Sequence, residues 1–199
     1  MGKHFLKKKK PVLLLAALGA ITGLFSSYAV LTHFYGRTID EAALLASLPG
    51  LPFGVAMCAF LAFQVGLPAL HGYFVIGIFG ASWLISYWGT LYFYGSLIQQ
   101  TFYQTFYASN TEIIILAFVG AIAGLIGAGI IVSGLAVVLA QYRDVSFARR
   151  TLLVGSAVGL LLPLTIVPYF TPVFFVLWQA AVAVCLGLGL DQPSTDAEI

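Results

Sequence analysis

Apolar residues run along this chain in stretches longer than a soluble core helix needs, separated by short polar breaks. The first stretch covers 11–35. A second covers 51–70 and turns at His71 and Gly72 into a third that ends near Tyr94. The fourth covers 112–141, the fifth 151–168, and the sixth ends near Leu190. Each holds about 18 residues or more, close to what a ~30 Å hydrocarbon core asks of a helix. The pattern predicts an all-α integral membrane protein with six transmembrane helices. They form one domain over 11–190, between a basic arm at 1–10 and a polar tail at 191–199.

Local signals mark the ends. Ser109-Asn-Thr-Glu112 reads as a capping box opening the fourth helix, and Thr38-Ile-Asp-Glu41 as one opening a short helix before the Pro49-Gly-Leu-Pro52 break. The fourth run is long enough, at ~1.5 Å per residue, to tilt strongly or reach the headgroups. Pro163 is expected to kink the fifth helix, and Pro168 and Pro172 to bracket a tight turn.

Charge orients the helices. Five of the nine Lys and Arg (Lys3, Lys7, Lys8, Lys9 and Lys10) precede the first run, and three (Arg143, Arg149 and Arg150) share one later loop. Short loops rich in Lys and Arg stay cytoplasmic, so both termini are expected inside and Arg37 outside, in the cell (plasma) membrane. Dropping one span would send the three arginines outside. A re-entrant second and third pair preserves the parity and stays open. The lysines are also expected to attract anionic lipid, at ~1 kcal/mol per charge near the surface. A cleaved signal peptide is the rival for the first run, since four lysines and a 15-residue apolar stretch lead to Ser27-Tyr28-Ala29 as a small-x-small site within it.

Composition agrees with a chain immersed in lipid: 61% of residues are hydrophobic, 8% are charged, and mean hydropathy is +1.02. Soluble domains carry about a quarter charged residues. Cys58 and Cys185 stand alone in apolar runs, so no metal site, cofactor or disulfide framework is expected.

An internal echo bears on organisation. Residues 15–24 align without gaps on 116–125, with seven of ten positions identical. Ala16, Ala20 and Gly23 lie on one helical face, and Ala117, Ala121 and Gly124 make the same stripe, which lets helix backbones approach closely. Three spans per half would orient the halves oppositely, as a 3+3 inverted repeat, an arrangement common in transporters. Chance similarity among small and aliphatic residues is the competing explanation.

Candidate chemistry is sparse. Acidic residues sit in loops, tail and caps, and His33 and His71 fall at opposite membrane faces, too far apart to share a haem iron. No nucleophile–base pair or phosphate loop is visible, so the chain is not expected to be an enzyme or to bind nucleic acid. Gln64 and Gln179 lie inside spans, where such groups serve either a polar solute or helix association. Trp83, Tyr87, Trp88, Tyr92, Phe93 and Tyr94 crowd the outer half of the third span, and Phe102, Tyr103, Phe106 and Tyr107 continue the rim as an interfacial helix. Gln64, Trp83, Tyr87, Trp88 and Gln179 are therefore the candidate ligand residues, with membrane anchoring the competing role of the aromatics. Two functions remain. One is binding or permeation of an uncharged or weakly polar small molecule; the other is a non-catalytic subunit or assembly factor packed against other membrane subunits or copies of itself.

Overall fold

The structure is a computed structural model that describes residues 2–33, 48–98, 110–166 and 168–190. The expectations for Arg37, for the box at Thr38 to Glu41, for Ser109, for Phe102 to Tyr107 and for the tail lie outside these residues. So do those for the side chains of Tyr92, Phe93 and Tyr94.

Among the described residues six α-helices follow one another: α1 (Gly2–His33), α2 (Leu51–Val65), α3 (Ala69–Ile98), α4 (Asn110–Val138), α5 (Val145–Gly159) and α6 (Thr171–Leu190). Short 3-10 turns precede α2 (Leu48–Gly50) and α5 (Ala140–Arg143), and two more (Leu162–Ile166 and Pro168–Phe170) lead into α6. Among the described residues four helices are long and apolar enough to cross a membrane, through Pro11–Leu31, Ala69–Thr90, Glu112–Val138 and Thr171–Leu190. The other two, α2 and α5, have 15 residues each, ~22 Å of helix and short of a ~30 Å core.

Several boundaries differ from the sequence expectation for local reasons. The second helix stops at Val65, because Gly66 takes the left-handed conformation (φ 68°, ψ 38°) and its N–H closes on the Ala62 carbonyl at 3.1 Å. Pro68 then starts α3, its carbonyl accepting from the Gly72 N–H at 3.0 Å, so His71 and Gly72 are helical and not the turn. The fourth helix ends at Val138, where Leu139 becomes extended. Arg149 and Arg150 lie in a helix, not a loop, since Asp144 caps α5 by accepting from the Phe147 N–H at 3.2 Å. At its other end α5 stops at Gly159 ahead of Pro163, which stands in a 3-10 turn and kinks no helix.

Neighbouring helices run antiparallel at close approach. A methyl placed on Gly19 would lie 2.6 Å from the Gln179 carbonyl oxygen, and one on Gly23 would lie 2.7 Å from Val176 Cα, so α1 lies backbone to backbone on α6. Gly120 and Gly124 meet Gly159 and Gly155 in the same way between α4 and α5. Between α3 and α4, Ser82 donates to the Gly127 carbonyl at 2.9 Å and Ser86 to the Ala123 carbonyl at 3.1 Å. Phe53, Met57, Phe79, Ile131, Leu135, Val182 and Leu186 fill the centre. Large apolar side chains such as Leu13, Phe25, Phe63, Tyr73, Phe118 and Leu153 point outward.

The antiparallel order collects the chain ends. Val12 lies beside Gly187, and Tyr142 lies beside Gly189. The end of α1 next to the lysines, the start of α5 with its arginines and the end of α6 thus share one end of the bundle. The opposite end carries the 3-10 turn Leu48–Gly50 and the start of α6.

Candidate functional site

The 3-10 turn Leu48–Gly50 inserts among α1, α2 and α3, and its backbone builds the most polar spot in the interior. Pro49 offers its carbonyl to two side chains from other helices. The Ser26 hydroxyl of α1 donates to it, and Gln179 Nε2 of α6 reaches it at 3.4 Å. The same amide nitrogen donates to Ser26 Oγ at 2.7 Å. Ser26 and Gln179 are both 0% exposed, so each bond is made without competition from water.

That network fixes the amide. A carbonyl can only accept, so the nitrogen of Gln179 must face Pro49, and Oε1 is turned away. Gln179 Oε1 has no hydrogen-bond partner among the described residues. The Trp83 indole abuts Gly50 in the same turn, and its Nε1 is likewise without a partner there. A third buried polar atom in that state is Thr171 Oγ1, on the α6 stripe formed by Thr171, Phe175 and Gln179.

Aromatic rings frame these atoms. Trp83 stacks on Phe175 with centroids 4.9 Å apart and planes 7° from parallel, and meets Trp178 edge-on at 5.4 Å. Phe53 meets Phe79 edge-on at 4.9 Å. The site therefore presents one unpaired acceptor and one unpaired donor among rings, and its side chains Ser26, Trp83, Phe175, Trp178 and Gln179 are all uncharged.

Of the five candidate ligand residues, Trp83 and Gln179 touch the same inserted turn, at Gly50 and at the Pro49 carbonyl. Tyr87 is half-buried one turn along α3, and Trp88 is exposed on the bundle surface. Gln64 is exposed in the last turn of α2, at the opposite end of the bundle. Ser26 and the Pro49 carbonyl went unselected. For Ser26 the signal is its spacing of three from Gly23 and seven from Gly19 along one helical face. A main-chain oxygen has no such signal.

The packing stripes also sit slightly off the expected line. Gly23 and Gly124 are buried as anticipated, but Gly19 and Gly120 centre the two faces, with Ala16, Ala20, Ala117 and Ala121 half-buried at the flank. The faces contact non-equivalent neighbours, since α1 presents its glycines to α6 and α4 presents its own to α5.

A second insertion lies at the other end. Tyr142, in the 3-10 turn before α5, is 1% exposed, packs on Phe147 at 4.7 Å and donates to the Leu186 carbonyl at 3.2 Å. Burial pushes its phenol well above the usual tyrosine range, which keeps it neutral and able to donate. Comparison of the chain with protein-family models, with curated proteins and with solved structures finds no match, so the functional reading rests on these residues alone.

Proposed function

We propose that the chain is a six-span membrane protein, with both termini cytoplasmic, that binds or passes a small uncharged or weakly polar solute at the Gln179–Trp83 centre. The observation that carries this reading is the pair of buried, complementary polar atoms, Gln179 Oε1 and Trp83 Nε1, flanking one inserted turn without partners among the described residues. Buried polar atoms are nearly always satisfied, so each exception calls for an explanation, and a bound molecule supplying the missing partner is one.

The order of elements supports a two-half design. Each half runs as a long helix, a 3-10 turn, a 15-residue helix and a further apolar helix, and each turn touches the three helices of its own half. Short or interrupted spans at corresponding positions of two inverted halves commonly border transporter sites. Lysines and arginines gathered at one end favour the inward orientation and contact with anionic lipid.

A structural subunit is the competing role. Its main support was the pair of small-residue faces on α1 and α4. Those faces are filled by α6 and α5 of the same chain, which leaves less for a partner to grip. Native mass spectrometry of the protein extracted gently from its own membranes tests the choice. A monomer or homo-oligomer carrying a discrete small-molecule mass is expected. Stoichiometric unrelated subunits and no such mass would transfer the function to the complex.

A further inference from the structure

Resting on that reading, we infer that the solute recognised at this centre carries a neutral hydroxyl on an apolar body, and that Gln179 and Trp83 read this hydroxyl. The chemistry follows from what each atom lacks. Gln179 Oε1 needs a donor, and the indole N–H of Trp83 needs an acceptor. A hydroxyl is the smallest group that is both. An ion is disfavoured, because the surrounding Ser26, Pro49, Gly50, Phe175 and Trp178 supply no compensating charge and a bare charge is costly to bury. A purely apolar molecule would leave both polar atoms as they are. The apolar body follows from the rings: Trp83 lies flat on Phe175, with Trp178 at its edge.

Thr171 adds an independent pointer. Its hydroxyl is 1% exposed, has no partner among the described residues, and stands two turns before Gln179 on the same stripe of α6. Three unpaired polar atoms thus lie on or against the first half of α6.

Phenol, neutral at pH 7, and toluene, of the same shape without the hydroxyl, are the probes. They are titrated against the full-length protein in detergent while thermal unfolding and tryptophan fluorescence are followed. Phenol is expected to protect the protein saturably, at least about tenfold better than toluene, the scale of one or two well-made hydrogen bonds. Trp83→Phe keeps a ring to stack on Phe175 but removes the N–H, and is expected to weaken phenol about tenfold with toluene unchanged. Gln179→Leu should do the same; if it fails to fold, Trp83→Phe decides alone. Trp88→Phe, on the exposed surface, should leave the phenol response intact.

Equal protection by both probes, no protection by phenol, or full phenol affinity in Trp83→Phe overturns the inference. A bound natural mass without a hydroxyl overturns it too, yet leaves the solute-binding reading standing; absence of any bound mass removes that reading first.

Discussion

At the residue scale, a few polar atoms are set against a background of apolar contact. Sequence alone marked Gln179 and Trp83, because a glutamine or tryptophan inside an apolar run is conspicuous. It equally marked Gln64, which ends on the surface, since no property of a lone glutamine tells which way its helix is turned. The Pro49 carbonyl is illegible for a deeper reason: every residue has one, and only the fold decides which carbonyl the side chains of other helices reach. Tyr142 gives the residue-scale prediction. Its folded pKa is raised above the ordinary value of about 10, so its stabilising effect is complete below that pH and is lost as pH rises beyond it. Unfolding midpoints in detergent between pH 8 and 11.5 are expected to fall more steeply for the native protein than for Tyr142→Phe. At neutral pH the variant should be less stable by about 1 kcal/mol, the bond to Leu186. Parallel curves at high pH would show that the phenol does not govern alkaline loss.

At the element scale, the existence of six helices was readable from apolar length, and their ends were not. Gly66-Leu67-Pro68 repeats the triplet Gly50-Leu51-Pro52, and both triplets separate a helix from what precedes it. Hydropathy passes over them, because leucine and proline flanked by apolar residues do not lower a window average. Asp144 hid similarly among arginines, where its capping bond makes helix of an apparent loop. Helix pairing rests on absent side chains. Gly120→Ala or Gly124→Ala would drive a methyl into the α5 backbone at Gly159 or Gly155, and separation of the pair should cost about 1–3 kcal/mol. Gly77→Ala and Gly89→Ala meet nothing within 4 Å and replace glycine by a better helix former. These two should be neutral or stabilising by up to about 1 kcal/mol. Thermal midpoints of the four variants check the contrast; a uniform response would mean that the glycines act through backbone flexibility and not through close approach.

For the whole molecule, the arrangement ties charge to the path of the chain. Antiparallel packing of α1 on α6, with Tyr142 of the turn before α5 beside Gly189, brings the lysine-bearing end of α1 and the arginines of α5 to one end of the bundle. Sequence could not show that α1 and α6, the first and last of the described helices, are mutual close partners, because that contact joins residues 160 apart, Gly19 and Gln179. The same contact places Ser26 at the polar centre, so removal of α1 would strip one wall from the site. If the bundle lies in the membrane as its charges direct, Arg149 and Tyr169, both exposed, face opposite compartments. Single cysteines at these positions, in a background with Cys58 and Cys185 replaced, should react with an impermeant maleimide on opposite sides of intact cells. Tyr169→Cys is expected to label from outside, and Arg149→Cys only after the membrane is opened. Reversed labelling would overturn the orientation while leaving the fold intact. Labelling of both from one side would instead remove an odd number of crossings between them, and the short helix α5, at ~22 Å, would be the one that fails to span.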